Sequence, residues 1–113
     1  SAVGSLGFDQ DDVFVADEFG DVVALDGRTG AVIWRNNSFK FRRLTGPTVL
    51  GRWVLVGDLD GMVLMMDTKD GSLVGAVKTD GSPILVNPLV IDDKVIIQTS
   101  KGNLYAFVLD QDF

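Results

Sequence analysis

Two segments of this sequence have the look of acidic ligand loops: DEFGD at residues 17–21 and DLDG at 58–61. Carboxylates spaced one or two residues apart are what a hard cation such as calcium selects. A helix–loop–helix calcium site, however, wants oxygen ligands at positions 1, 3 and 5, glycine at 6 and glutamate at 12. Counted from Asp58, Gly61 arrives at the fourth position and no glutamate follows, so both segments read as hairpin turns. Nucleophilic chemistry fares no better. The chain has no cysteine and no histidine, which removes the thiolate nucleophile, the zinc–thiolate site, and the commonest general base and transition-metal ligand. Serines and threonines are present, but without a histidine partner the usual hydrolase triad cannot form. The GxxG and TxxG pieces lie between apolar runs with no helix to follow, so they cannot cradle a phosphate. No catalytic residue, metal or cofactor is expected.

One segment retains interaction chemistry. In NNSFKFRRL, residues 36–44, Phe39 and Phe41 alternate with Lys40, Arg42 and Arg43. Apolar anchors interleaved with guanidinium groups are enriched at protein interfaces. The alternative is that the two phenylalanines tuck under the loop while the cations balance nearby acids. In either case an exposed loop should tolerate Arg42 and Arg43 both changed to Glu without loss of folding. The segment stands out electrostatically too. The net charge is −6, which argues against a nucleic-acid partner, yet there is no acid between Asp26 and Asp58, where Arg28, Arg35, Lys40, Arg42, Arg43 and Arg52 all fall. A basic loop on an acidic body can steer association with an acidic surface.

The elements that must position this loop come from a repeat. Gly20, Gly61 and Gly102 are spaced 41 apart, and so are Asp26 and Asp67, Gly30 and Gly71, and Pro47 and Pro88. A period near 40–45 is that of four-stranded propeller blades. The apolar runs VFVA, DVVAL, AVIW, TVL, WVLV, MVLMM, LVGAV, PLVI, KVIIQ and NLYAFVL are short, rich in β-branched and aromatic residues, and bounded by Asp, Gly, Asn or Pro. No segment keeps a helical period, and the chain reads as all-β. Turns are expected at DEFGD, GRTG, DLDG, TKDG and SKGN.

Each repeat supplies four strands, and residues 1–8 fall where the first repeat needs its inner strand. The third repeat stops after three. The expected architecture is a partial β-propeller of about eleven strands in three antiparallel blades: residues 1–44, 45–86 and 87–113, the last lacking its outer strand. Trp34 is assigned to the place where its blade meets a neighbour, and Phe14, Trp53 and Tyr105 to layers between blades. Three blades do not close a ring, since propellers typically have four to eight. The chain is therefore expected to be a fragment or to pair with copies of itself. No apolar run approaches the roughly 18 residues of a membrane span, and no start methionine opens a basic and apolar leader. Either a leader was removed or the chain is part of something longer.

VVALDGRTGAVIW, residues 22–34, resembles the quinoprotein-type (PQQ-like) propeller repeat. Two groups use that repeat: quinone-dependent dehydrogenases, and the BamB family of non-catalytic lipoproteins in the outer-membrane β-barrel assembly (BAM) machinery. FRRLTGPTVLGRWVLVGDLDGMVLMMDTKDGSLVG is similar to the penultimate blade of the BamB family, and KVIIQTSKGNLYAFVL to its C-terminal end. The resemblance implies an eight-bladed parent, a scaffold lipid-anchored on the periplasmic face of the bacterial outer membrane. Its partners would be the periplasmic (POTRA) repeats of BamA and other BAM subunits. It also implies that the last blade's outer strand comes from the far N-terminus, so that without it the edge of NLYAFVL is open to self-association. Contacts in the family are expected from loops joining one blade to the next, here 36–47 and 79–88. The dehydrogenase alternative would need a quinone, calcium and an adjacent cysteine pair, and the pair is not in this sequence.

Overall fold

The computed structural model describes residues 3–9, 12–40 and 42–109. Among them are eleven strands and no helix. Strands β1 (Val3–Asp9), β2 (Asp12–Asp17), β3 (Val22–Asp26) and β4 (Val32–Asn36) form a first antiparallel sheet in chain order. A second contains β5 (Thr48–Leu50), β6 (Trp53–Gly57), β7 (Met62–Asp67) and β8 (Leu73–Lys78). The third contains β9 (Leu89–Ile91), β10 (Lys94–Gln98) and β11 (Leu104–Val108). The leading strands β1, β5 and β9 lie side by side, which is the arrangement of propeller blades around an axis. The all-β partial propeller expected from the repeat is the observed fold.

The repeat persists in the backbone. A bulge falls between Ala24 and Leu25 in the first sheet and between Met65 and Met66 in the second, again 41 apart. The turn glycines Gly20, Gly61 and Gly102 share φ values of 95°, 79° and 91°, a region closed to most side chains. Asp17 Oδ1 accepts hydrogen bonds from the Phe19 and Asp21 amides, and Asp58 Oδ1 accepts from the Asp60 and Met62 amides. These carboxylates build their own turns.

Strand alternation decides which blade each side chain serves. In β6, Val54 and Val56 point to the first sheet while Trp53 and Leu55 point to the third, so every residue of this strand is buried. That is why WVLVG reads as a continuous apolar run rather than an alternating one. β7 divides likewise: Leu64 and Met66 face the first sheet, Val63 and Met65 the third. The first core gathers Phe14, Ala16, Val22, Ala24, Trp34 and Phe39 against them, and the second Ile84, Val95, Ile97 and Tyr105. Phe14, Trp34, Trp53 and Tyr105 thus fill the layers between blades.

Trp34 is also held by polar contacts. Its Nε1 donates to the Thr68 carbonyl at 2.8 Å, and Asn36 Nδ2 donates to the Gly71 carbonyl at 2.7 Å. A Cβ on Gly71 would sit 2.3 Å from the indole, so only glycine lets that ring lie flat on the turn.

Candidate interaction surface

Loop 37–47 carries the chain from β4 to β5. It passes the turn between β2 and β3, and its residues have divergent fates. Phe39 is 5% exposed and belongs to the first core. Its carbonyl lies where a Cβ on Gly20 would be 1.9 Å away, so the loop is clamped onto the turn. Phe39 thus follows the second of the two readings of this loop, tucked beneath it with its side chain used by the fold. Phe41 lies outside the described residues. Lys40 is exposed.

Arg42 turns inward. Its Nη1 donates to Asp58 Oδ2 at 2.5 Å, and Asp58 is 1% exposed. With Oδ1 held by the two turn amides, the carboxylate is compensated on both oxygens, as a buried charge must be. The expectation that Arg42 and Arg43 together can become Glu without cost to folding is therefore corrected for Arg42. A glutamate there would face a buried carboxylate. Arg43 fits the expectation: its side chain is 67% exposed and 3.8 Å from Glu18, itself half exposed, a pairing of little energetic weight.

Lys40 and Arg43, with Phe19 from the β2–β3 turn and with Glu18 and Asp21, line a shallow cavity of about 480 Å³. Phe19 is 60% exposed there. Glu18 and Arg43 also border a second depression of about 250 Å³ with Leu59 and Leu85, and Leu85 continues into a third of about 200 Å³ with Val86 and Ser100. The three depressions run from turn to turn across all three blades. Phe19 and Leu59 were missed from sequence because each stands alone in a polar turn, while Leu85 and Val86 lie within the expected 79–88 loop, where nothing in the sequence singles them out. Only the fold lines them up.

The second interblade segment, 79–88, is built differently. Asp80 accepts hydrogen bonds from Ser82 Oγ at 2.6 Å, Thr99 Oγ1 at 2.7 Å and Asn103 Nδ2 at 2.6 Å. These donors, Ser82 first, hold its carboxyl well below the usual carboxylate range. Asn87 Oδ1 accepts from the Gly46 amide, and Thr48 Oγ1 donates to the Pro88 carbonyl, tying the inner strands together. No group of three or more metal-ligating side chains occurs among the described residues.

Fold and surface together define a class: a β-propeller segment of quinoprotein-type repeats whose exposed chemistry sits in interblade loops. The family model described as "Outer membrane protein assembly factor BamB" matches residues 2–111. A protein of that name from Burkholderia pseudomallei is 38% identical over 103 residues, covering 89% of this chain and 27% of the relative. Another, from Taylorella asinigenitalis, is 40% identical over 105 residues, covering 92% and 27%. The crystal structure of BamB from Moraxella catarrhalis matches with a TM-score of 0.85 at 32% identity over 92% of this chain and 30% of that one. The chain belongs to the BamB family. It spans about a quarter of the length of the curated relatives it matches. A quinohemoprotein alcohol dehydrogenase from Pseudomonas putida also matches, with a TM-score of 0.77 over 95% of this chain and 19% of that one. At 24% identity that likeness extends to the fold alone.

Proposed function

We propose that this chain is part of a non-catalytic scaffold that aids the folding and insertion of β-barrel outer-membrane proteins. The observation that carries this reading is the match of the assembly-factor family model to residues 2–111. The blades are taken as 1–44, 45–86 and 87–113, belonging to an eight-bladed parent. The parent would be lipid-anchored at the periplasmic face of the outer membrane, bound to the periplasmic repeats of BamA and near other BAM subunits. Within this chain, Lys40 and Arg43 with the exposed Phe19, Leu59, Leu85 and Val86 are the contact residues. Aromatic and arginine side chains beside apolar depressions are the composition that supports a docking role. Arg42 and Phe39 support the surface from beneath without touching the partner.

The test is calorimetric titration of the soluble periplasmic repeats of BamA into the longer parent protein and, separately, into this chain. Binding by the parent is expected. Binding by the chain, weakened when Lys40 and Arg43 are both changed to Glu, would place contacts in these blades. A parent that does not bind removes the scaffold reading.

A further inference from the structure

The depression beside Lys40 lies at a junction whose two blades are both present. Lys40 and Arg43 stand on the loop between the first and second sheets, opposite Phe19 on the β2–β3 turn. Phe19 has an internal control. Its counterpart 41 positions on is Asp60, whose side chain is 79% exposed although a blade and a loop stand before it. This turn position therefore projects to solvent even within a run of blades.

The fold holds the depression in shape. The Arg42 amide donates to the Phe39 carbonyl at 3.0 Å, closing a tight turn that carries Lys40. One end of that turn is fixed by Phe39 in the first core, the other by the Arg42 guanidinium on Asp58. The cation is presented from a clamped backbone, and little backbone ordering remains to be done on binding. Its charge is also uncompensated. Of the two carboxylates lining the depression, Glu18 lies 3.8 Å from Arg43 and Asp21 lies 3.9 Å from Arg35. Lys40 makes no ion pair with a described residue. Two acids against three cations leave a local positive excess on a chain whose net charge is −6.

We propose that this depression receives a short acidic segment of a partner protein: an apolar side chain laid on the Phe19 ring, with flanking carboxylates drawn to Lys40 and Arg43. Phe19, 60% exposed, supplies the apolar area, and the cations beside it supply the charge preference. A space of about 480 Å³ is at the small end of ligand pockets, room for one large side chain and its neighbours rather than for a helix about 10–12 Å across. A basic segment finds no equivalent attraction, since Glu18 and Asp21 each already have an arginine beside them. The inference rests on the scaffold reading above and adds what the partner must present to these blades.

Two acetylated, amidated peptides probe it, Gly-Glu-Phe-Glu-Gly and Gly-Lys-Phe-Lys-Gly, each titrated with the longer parent protein and followed by NMR line broadening. The unchanged parent is expected to bind the glutamate peptide at least about threefold more tightly, the worth of exposed ion pairs, and the preference should shrink as salt rises. Lys40→Glu reverses the preference and Lys40→Gln reduces it, with thermal midpoints unchanged because the position is exposed. Phe19→Ala weakens both peptides alike, as loss of a shared apolar contact must. Equal affinity for the two peptides, a preference that neither Lys40 variant alters, or binding indifferent to Phe19→Ala overturns the proposal. So does the absence of binding at about 5 mM peptide. Failure of the scaffold reading looks different. A parent that takes the glutamate peptide but not the periplasmic repeats of BamA keeps the acidic-segment site and loses that partner. One that takes the repeats, equally well after Lys40→Glu, and ignores the peptide keeps the scaffold and loses the site.

Discussion

The two junctions between blades solve one problem with opposite charges. At the first, the turn of the following blade offers a buried carboxylate, Asp58, and the loop behind it supplies the cation, Arg42. At the second, the turn residue 41 positions on is Thr99, a neutral donor, and the loop supplies the carboxylate, Asp80. The first junction has in addition the Trp34 indole pinned to Thr68. The repeat position 41 on is Gly75, where no ring exists. There the seam is closed by Ile84, seated where a Cβ on Gly57 would come within 2.6 Å and hydrogen-bonded through its amide to the Asp58 carbonyl. The repeat fixes where a loop must grip the next blade, but leaves the chemistry of the grip to each loop.

Breaking the apolar half of each seam should have the largest effect. Trp34→Ala removes a buried ring and a hydrogen bond, and is expected to lower stability by about 3–5 kcal/mol in urea denaturation. Ile84→Ala should cost about 2–4 kcal/mol through the cavity left over Gly57. Amide hydrogen exchange distinguishes them. The first change should speed exchange chiefly in β2, β3 and β7, and the second chiefly in β6 and β10. Equal protection loss everywhere would show that the two seams are one cooperative unit.

The polar grips come next. Arg42→Ala leaves Asp58 with its two amide donors but without its cation. The expected loss is about 2–3 kcal/mol, under the ~3–5 kcal/mol of a fully buried pair because the arginine is 43% exposed. Denaturation midpoints check it. At the second junction the handle is acid. Asp80 has a folded-state carboxyl held below its unfolded value, so its contribution is present above the unfolded pKa of about 4 and is lost as pH falls below that. Stability measured between pH 5 and pH 2 should fall less steeply in Asp80→Asn than in the unchanged chain. Identical slopes would mean that the Thr99 and Asn103 contacts do not distinguish the charged carboxylate.

Much of this was legible before any fold was drawn. Glycine, proline and aspartate at a fixed offset of 41 located the strands within a residue or two, because turn chemistry is local. The doubly buried β6 could be read from its unbroken apolar run. The loop could not. Phe39, Lys40, Arg42 and Arg43 share one loop, and which of them packs, pairs or projects depends on Gly20 and Asp58, residues 19 positions from Phe39 and 16 from Arg42 in two hairpin turns. Phe19, Leu59 and Val86 have no apolar counterpart 41 residues away, and their alignment with Leu85 arises only when blades stack.

Arg43 supplies the smallest predicted effect on folding and the cleanest comparison with its neighbour. The two arginines are adjacent and chemically identical, yet only Arg42 reaches a carboxylate removed from water. Arg43 faces Glu18 at 3.8 Å with both side chains at least half exposed, a geometry in which Coulomb attraction is screened and rotamer entropy opposes it. Arg43→Ala should therefore shift stability by less than about 0.5 kcal/mol, and raising salt should leave even that difference unchanged or smaller. A loss above about 1 kcal/mol would reveal that Arg43 is a second structural grip on the β2–β3 turn. If the small value holds, a cation kept beside an exposed phenylalanine without benefit to folding has its use outside the chain, and partner affinity is where its removal should be felt.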